Sequence, residues 1–387
     1  MTGGGPLRSA SLLEYLSRSF SVHAVVFHQP SDPDPVSAIP RRLVDKLDVL
    51  ELPYHSSDSI ARLSRNSVRV LRGRPPLVDR FSGFERELSR LLAGHQYDLA
   101  VIEHFWCAPY VEQLRPHAKR VIIDLHNIES VWHRRLAGLE HGLRAFALRR
   151  FATASVALER KYLPAFDHLL VASSVDVQAA REISPDSKVT IYPNALPEIV
   201  APATPVKKHE IVFSGNLAYA PNIRAVQFFH DQVWPTLRAR WPALRWKIAG
   251  KNPDAIQGIV HSDARIELTG PFQDAVPVIA EAQVAVVPVL AGSGTRIKIL
   301  EAWAAGTAVV STSVGAEGLD ARHQDQLLIA DTPASFAEAV SSLLASADKR
   351  EQIASAGRRF YEERFTWPVA WRALEETLGN VPATGTV

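Results

Sequence analysis

The order in which two kinds of sequence pattern alternate is the strongest constraint on the fold. Short runs rich in Val, Ile and Leu alternate with longer stretches of helical periodicity, and this series occurs twice. Such alternation predicts βαβ units with largely parallel sheets, whose strands are buried on both faces. A proline-rich segment of weak periodicity, residues 196–205, separates the two series and indicates a linker.

The pattern predicts five strands before the linker and six after it. They cover residues 23–27, 48–52, 99–103, 121–125 and 169–172, and then 210–213, 245–248, 265–268, 284–287, 308–311 and 326–329. Helical stretches cover residues 7–16, 79–92, 130–163, 223–240, 276–282, 297–305 and 367–378. We therefore predict two α/β domains, 1–195 and 196–366, followed by a closing helix and tail, 367–387.

The glycine-rich start of the chain suggests a further feature of the first sheet. A doubly wound domain begins with a strand that leads into a glycine-rich turn. Here such a turn, with Gly4 and Gly5, stands at the very beginning, and the helical pattern follows directly. We expect that the first, central strand of this sheet is missing, the alternative being a flexible glycine-rich tail.

Composition narrows the class of protein. A chain of 387 residues suits two domains of ordinary size, and 47% hydrophobic with 22% charged residues is typical of globular proteins. A net charge of +2 gives no sign of a nucleic-acid surface, yet is compatible with an anionic small ligand or an acidic membrane surface. The single cysteine, Cys107, excludes an internal disulfide. No apolar run approaches the ~18 residues that cross a bilayer, so we expect a cytoplasmic protein with at most peripheral membrane contact.

The sharpest local motif follows the predicted strand 284–287 and opens the next helix. Its residues are Gly292, Ser293, Gly294, Thr295, Arg296, Lys298 and Glu301. Small residues let backbone N–H groups approach a ligand, and a helix N-terminus favours negative charge. Arg296 and Lys298 oppose the helix dipole there, and a bound diphosphate would remove that conflict. The alternative is a glycine turn with two solvated cations and a surface Glu301.

A second cluster of polar residues ends the predicted strand 121–125. Asp124, His126 and Asn127 stand at the carboxyl edge of the sheet, where open α/β sheets bind ligands. His126 could donate a hydrogen bond to a substrate hydroxyl or phosphate, and His104 follows the neighbouring strand in the same way. Both histidines could instead be structural.

Other chemistries find little support. Asp32-Pro33-Asp34 lies among prolines and is more typical of turns than of a metal site. The fourteen histidines show no metal-ligand spacing, so no metal is predicted. No nucleophile elbow or P-loop is present. A nicotinamide dehydrogenase would need GxGxxG directly after a strand, and that unit is absent.

Taken together, the motifs resemble the retaining glycosyltransferases of family 4, the "group 1" transferases, over nearly the whole chain. The segments that carry the resemblance are residues 3–8, 124–127, 192–194, 213–217 with 221–222, 292–306, 309–312 and 315–318. The resemblance implies a GT-B fold, with two Rossmann-like domains facing each other across a cleft and a last helix that crosses back to the first domain.

The resemblance also implies roles for particular residues. In the family, the helix that opens with the glycine loop holds the diphosphate and sugar, and its glutamate binds the ribose. These roles carry over to Arg296, Lys298 and Glu301, and the family's histidine near the donor sugar matches His126. The other donor-side matches are Gly4, Gly5, Gly215, Asn216 and Gly292–Thr295, and we place His104 and Asn127 on the acceptor side.

Two departures from the family pattern matter. Many members carry a glutamate where this chain has Ser293, which puts that sugar contact in question. Many also carry Arg and Lys at the positions that look like Asn216 and Asn222 here. Arg296 and Lys298 are therefore expected to be the main groups that neutralise the diphosphate.

The predicted function is transfer of a sugar from a nucleoside diphosphate to an acceptor hydroxyl, with retention at the anomeric carbon. No cofactor is expected beyond this co-substrate, and a glycan or lipid-linked acceptor is a family-level expectation. Two alternatives are a sugar-nucleotide epimerase of the same fold and a catalytically silent binding protein. The sequence identifies neither base nor sugar, although backbone near Gly270-Pro271-Phe272 could contact the base.

Overall fold

The computed structural model describes residues 4–30, 32–55, 58–200, 202, 208–260, 263–272, 274–291 and 297–379. The chain divides into two compact units. The amino-terminal unit comprises Leu12–Tyr192 and Ala373–Val387, and the carboxyl-terminal unit comprises Met1–Ser11 and Pro193–Arg372. The first residues of the chain thus group with the second α/β series rather than with the first.

Two helices contribute residues to both units. Helix α1 spans Gly4–Leu16, so the described part of the glycine-rich segment is the first turn of a helix and not a separate turn. Helix α18 spans Trp367–Leu378, as the sequence predicts, with a proline in its first turn where the missing N–H costs little. Just before α18, Thr366 pairs with Leu196, so the first residue of the predicted linker is buried and fixed.

The described residues of the amino-terminal unit form six parallel strands in two sheets. They are β1 (His23–His28), β2 (Lys46–Glu51), β3 (Tyr97–Glu103), β4 (Ala118–Leu125), β5 (His168–Val171) and β6 (Val189–Ile191). The sheet orders are β1-β2 and β3-β4-β5-β6. All five predicted strands are present, and the short β6 was not predicted. Within the described residues no strand joins these two sheets, and the absence of a first, central strand from the chain stays a prediction.

Helices connect these strands. They are α2 (Pro35–Ala38), α3 (Ser59–Arg72), α4 (Pro76–Arg80), α5 (Glu85–Leu92), α6 (Val111–Leu114), α7 (Glu129–Leu139), α8 (Gly142–Tyr162) and α9 (Ser174–Ile183). Two predicted helices are each split in two. Gly83 (φ 98°) lies between α4 and α5, and Gly142 (φ 59°) begins α8 after a break, because only glycine adopts such angles without strain.

In the described ranges of the carboxyl-terminal unit, six parallel strands form one sheet. Its strands are β7 (Lys208–Ser214), β8 (Arg245–Ala249), β9 (Ile266–Thr269), β10 (Ala282–Val287), β11 (Ala308–Ser311) and β12 (Leu328–Ile329). All six were predicted. Their spatial order is β12-β11-β10-β7-β8-β9, which is the doubly wound order of a Rossmann-like domain.

The helices of this unit complete the α/β pattern. They are α10 (Ala220–Phe228), α11 (Trp234–Arg240), α12 (Asp254–Val260), α13 (Ala275–Ala280), α14 (Ile297–Ala304), α15 (Ser313–Ala316), α16 (Pro333–Ala345) and α17 (Ala347–Arg364). A π-helical turn, Phe229–Val233, interrupts the predicted helix 223–240. No helix in the described ranges combines the length and apolar character that a bilayer span requires.

Each unit has its own hydrophobic core. In the carboxyl-terminal unit the core surrounds three fully buried indoles, Trp234, Trp246 and Trp303. In the amino-terminal unit it surrounds β4, whose residues Val121–Leu125 are all buried. The runs of Val, Ile and Leu in the sequence agree with strands that are buried on both faces. Packing of these strands positions the strand ends from which polar residues project.

Candidate functional site

The strand order of the carboxyl-terminal unit marks one candidate site. The chain proceeds from β7 to β8 and β9 on one side, and then returns to β10 on the other side of β7. Ligands of doubly wound sheets bind beyond the carboxyl ends of strands at such a reversal. Ser214 ends β7 at this point, and Gly215 and Asn216 follow it. The loop after β10, with Gly292, Ser293, Gly294, Thr295 and Arg296, falls outside the described residues.

Two glycines let the backbone close tightly at this edge. The N–H of Gly215 donates to the carbonyl of Ala249 at 3.0 Å. A Cβ on Gly250 would lie 1.7 Å from the carbonyl oxygen of Gly215, so Gly250 tolerates no side chain without movement. Gly215 itself has φ 149°, a conformation that favours glycine. The two glycines therefore let the backbone after β7 pack closely against the backbone after β8.

The cation of Lys298 lies against this glycine. Its Nζ donates to Oδ1 of Asn222 at 3.1 Å and sits 5.3 Å from the centre of the Phe213 ring. A Cβ on Gly215 would lie 3.0 Å from this same nitrogen. The structure therefore brings Lys298, Gly215 and Asn222 together, although the sequence places them in two separate motifs.

The side chains of Asn216 and Asn222 form hydrogen bonds within the loop, and neither carries a charge that could neutralise a ligand. The amide of Asn222 donates to the carbonyl of Asn216 at 2.7 Å. The side-chain oxygen of Asn216 accepts from the N–H of Ala218 and from the amide of Asn252, at 3.1 and 2.9 Å. These bonds shape the turn between β7 and α10, and neither side chain supplies a positive charge.

Glu301 lies one turn after Lys298 on α14 and reaches the end of β7. The hydroxyl of Ser214 donates a hydrogen bond to its carboxylate. Burial raises the pKa of Glu301 to about 7 and Asp274 contributes in the same direction, whereas Lys298 and Ser214 oppose the rise. Above pH 7 this group is mostly charged, and a carboxylate accepts hydrogen bonds from hydroxyl groups strongly.

Gly4 and Gly5 form the first turn of α1, whose first N–H groups lack partners within the helix. Arg8 follows in the same helix and is almost fully buried. Its guanidinium donates to Oδ1 of Asn194 at 3.1 Å. This bond joins two of the segments that carried the family resemblance, residues 3–8 and 192–194, within the carboxyl-terminal unit.

The second candidate site lies in the amino-terminal unit, where β3 and β4 end together. Glu103 is paired in register with Asp124, so both carboxyl groups stand at one edge of the sheet. His126 follows and is only 8% exposed, with its Nε2 3.4 Å from Oδ2 of Asp124 and 4.0 Å from Oε2 of Glu103. No described residue forms a hydrogen bond with either ring nitrogen of His126. The Nε2 atom of the imidazole thus faces both carboxyl groups without a hydrogen bond to either.

His104 completes this edge. Its backbone has φ 68°, and its N–H donates to the carbonyl of Asp124 at 3.0 Å. Its ring stacks on Trp106, with centres 3.9 Å apart, and lies 3.7 Å from the ring of His126. The predicted pair His104 and His126 is therefore a contacting pair, and Asn127 follows directly, partly exposed.

This edge also holds the one group of potential metal ligands found among the described residues. Ligand atoms of Glu103, His104 and His126 lie within 4.8 Å of one another. Imidazole and carboxylate are suitable ligands for zinc and related ions. The sequence did not predict this group because its members come from the ends of two different strands, β3 and β4. Their separation along the chain matches no known metal-ligand spacing.

A buried pair of carboxyl groups was also missed. Glu129 begins α7, directly after the His126 segment, and Glu159 on α8 is 1% exposed. Burial, together with a smaller contribution from the charge of Glu159, raises the pKa of Glu129 to about 8. Burial likewise raises the pKa of Glu159 to about 7, although Ser130 and the backbone oppose this rise through hydrogen bonds. The arginine-rich sequence around these residues predicts a helix with a solvent-exposed face, so nothing in the sequence predicted two buried carboxyl groups there.

Comparison with known proteins supports the interpretation of the fold. Residues 208–346 match the family model "Glycosyl transferases group 1". Over 291 residues, 72% of this chain and 73% of the relative, the chain is 23% identical to an "uncharacterized 44.6 kDa protein in cps region" of Klebsiella pneumoniae.

Solved structures agree with this match. The sucrose-phosphate synthase of Thermosynechococcus elongatus superposes with a TM-score of 0.73 at 18% identity, over 97% of this chain and 92% of that one. HepE of Anabaena, in complex with UDP and glucose, superposes with a TM-score of 0.64 at 14% identity, over 98% of both chains. The predicted GT-B fold class is confirmed. The family model thus matches part of the carboxyl-terminal unit, and the solved structures show the fold.

Proposed function

We propose that the chain transfers a sugar from a nucleoside diphosphate to an acceptor hydroxyl, with retention of the anomeric configuration and without a metal ion. The arrangement at the end of β7 supports the proposal: Lys298 and Glu301 project from one helix to this strand end, where Gly215 lets the Lys298 cation approach the backbone closely. A cation suits a diphosphate, and a carboxylate one turn away suits the vicinal hydroxyls of a ribose.

The donor contacts follow from this arrangement. Lys298 would neutralise the diphosphate together with Arg296, and backbone N–H groups of Gly292–Thr295 would contribute further donors. Gly4, Gly5, Gly215 and Asn216 would line the same ligand through their backbone. The Anabaena HepE structure contains UDP and glucose, which makes a UDP-sugar the first donor to test.

The reaction breaks the bond between the anomeric carbon and the leaving phosphate oxygen. A bond to the acceptor oxygen forms on the same face, and the acceptor proton passes to the leaving phosphate. Negative charge grows on the diphosphate in the transition state, so a fixed cation such as Lys298 stabilises that state specifically. His126, held by Asp124 and Glu103, would donate a hydrogen bond to the donor sugar, and His104 and Asn127 would contact the acceptor.

The class of acceptor has less support than the class of donor. The Klebsiella pneumoniae relative is named for the cps region, which favours a role in glycan or exopolysaccharide biosynthesis. A glycan or lipid-linked acceptor, used in the cytoplasm or at the inner face of the membrane, is part of the proposal.

Donor screening and product analysis test the proposal together. UDP-, GDP-, ADP- and dTDP-sugars are added separately, and the melting temperature is measured, because a bound donor stabilises the folded state by mass action. The stabilising donor is then incubated with candidate acceptors, and Lys298→Met is compared with Lys349→Met, which lies outside the site. We expect Lys298→Met to lower the transfer rate by roughly a hundredfold.

Three results would contradict the proposal. They are the absence of any donor shift, release of an epimerised donor without acceptor, and unchanged transfer by Lys298→Met. Donor binding without turnover across an acceptor panel would favour a silent binding protein.

A further inference from the structure

Three arginine side chains gather where β1 and β2 end. The guanidinium of Arg80, at the end of α4, donates to the carbonyl of Pro53 and to Oε1 of Gln29, the latter at 3.1 Å. Gln29 follows β1 directly and Pro53 comes two residues after β2, so this guanidinium lies at the carboxyl ends of both strands. The charges of Arg65 and Arg69, one turn apart on α3, act on Arg80. We call Arg65, Arg69 and Arg80 the arginine cluster.

Positive charge predominates in this cluster. Burial and the charges of Arg69 and Arg65 lower the pKa of Arg80. Burial and the same three arginines lower the pKa of the neighbouring His55, and Asp79 opposes that shift less strongly than any of the arginines. Asp79 accepts a hydrogen bond from Nε of Arg69 at 2.8 Å, whereas Arg80 donates to neutral oxygens only, within the part of the chain that the structure describes. A bound anion would relieve the repulsion between these like charges.

Aromatic rings connect the arginine cluster with the candidate site of the amino-terminal unit. Phe81 follows Arg80 directly, and its ring stacks on Trp106 with the centres 5.8 Å apart. Trp106 stacks in turn on His104, whose ring lies 3.7 Å from that of His126. The arginine cluster and the two histidines therefore lie along one continuous row of side chains at the same edge of this unit.

We infer that the acceptor carries an anionic group, a phosphate or a carboxylate, and that the arginine cluster binds this group. The inference rests on the proposed function, in which His104 contacts the acceptor. An acceptor whose reacting hydroxyl lies beside the histidines extends along Trp106 and Phe81 to Arg80. The planar guanidinium group matches the paired oxygens of carboxylates and phosphates, and all three members of the cluster are partly exposed, so a ligand can reach them.

A panel of octyl glycosides tests the acceptor class. It consists of matched sets, each with the neutral sugar, its uronic acid and its phosphate monoester. With the donor that gives the largest thermal shift, kcat/KM is measured for every member. We expect at least one of the two anionic forms to exceed the neutral form by about tenfold, mainly through a lower KM, because a charged hydrogen bond contributes about that much. The comparison of the uronic acid with the phosphate shows which oxyanion the site prefers.

Variants connect this preference with the arginine cluster. Arg80→Gln should lower the ratio of anionic to neutral kcat/KM towards one, and Arg80→Lys should retain part of the preference because it keeps the charge. Arg65→Gln should lower the same ratio from a separate helix. Arg181→Gln is the matched control, since Arg181 is exposed on α9 of the same unit and its replacement removes the same charge. Melting temperatures verify that each variant folds.

Acceptor binding measured by isothermal titration without donor separates this inference from the proposed function. Tighter binding of an anionic acceptor than of its neutral counterpart, without any transfer, would support the arginine cluster and contradict the proposed transferase. Two results would overturn the inference itself. One is anionic acceptors that bind no more tightly than the neutral ones in the wild type. The other is a preference that both Arg80→Gln and Arg65→Gln retain in full.

Discussion

The carboxylate of Glu159 on α8 accepts a hydrogen bond from the backbone N–H of Ser130, at 3.0 Å, in the first turn of α7. The backbone N–H of Glu129 and the hydroxyl of Ser130 also donate to this carboxylate. The first N–H groups of a helix have no partner within it, so a side chain from α8 performs the capping of α7. Because α7 begins three residues after His126, Glu159 connects the packing of two helices with the position of the candidate site.

Removal of this cap should affect both stability and turnover. Glu159→Ala leaves buried N–H groups of α7 without an acceptor, which costs about 1–3 kcal/mol. We expect a lower free energy of unfolding by denaturant, and a lower kcat because the segment with His126 is less well fixed.

Glu159→Gln is the control for this prediction, since its side-chain oxygen still accepts a hydrogen bond. It should retain most of the stability that the alanine variant loses. Equal losses in both variants would show that the charge, and not the capping bond, is what matters.

The buried pair Glu129 and Glu159 should make stability depend on pH. In the folded state burial holds both pKa values, about 8 and about 7, above the ordinary value of 4.5. A raised carboxyl pKa means that the folded state binds the proton more tightly than the unfolded state. The corresponding stability is fully present below pH 4.5 and is lost as the pH rises through 7 to 8.

Glu129→Gln isolates this effect. It removes one titrating group while it preserves the shape of the side chain, so the dependence of unfolding free energy on pH between 5 and 8 should become flatter. Each unit of pKa difference corresponds to about 1.4 kcal/mol. A pH dependence identical to that of the wild type would exclude Glu129 as its source.

The sequence predicted the fold well because buried parallel strands have a simple pattern. All the strands of the carboxyl-terminal sheet were predicted, whereas the three-residue β6 is too short to show any periodicity. Helix breaks at Gly83 and Gly142 were missed because the apolar pattern continues across them, and only the backbone angle reveals the break.

The candidate site could be predicted only in part. Lys298, Glu301, His104 and His126 stand in recognisable positions, either at strand ends or in the first two turns of a helix. Their partners come from distant parts of the chain: Asn222 for Lys298, Ser214 for Glu301 and Glu103 for His126. Such pairs depend on the order of strands in space, which spacing along one sequence does not give.

Glu301 should make donor binding depend on pH near neutrality. Its pKa of about 7 means that the carboxylate gains a proton as the pH falls below 7, and a carboxylate accepts hydroxyl hydrogen bonds more strongly than a carboxylic acid. We expect the donor Kd to increase as the pH falls from 8 to 6. Isothermal titration with the donor that gives the largest thermal shift measures this change.

Glu301→Gln provides the comparison for that titration. Its neutral amide should weaken donor binding by about tenfold at pH 8, which corresponds to one charged hydrogen bond. It should also remove the pH dependence. If the donor Kd of the variant changed with pH as steeply as that of the wild type, a group other than Glu301 would cause the pH dependence.

Metal removal distinguishes two roles of the Glu103, His104 and His126 group. If Lys298 and Arg296 neutralise the diphosphate, treatment with a chelator should leave the transfer rate unchanged. If His126 contacts the donor sugar, His126→Ala should still lower the rate by roughly a hundredfold, because it removes a hydrogen-bond donor at the reacting centre. A different result would make these three residues metal ligands. In that case the wild type would lose activity on chelation and regain it with zinc or manganese, whereas His126→Ala would not regain it. In that case the positive charge at the reacting centre would come from the ion, and the proposal that lysine and arginine supply it would be wrong.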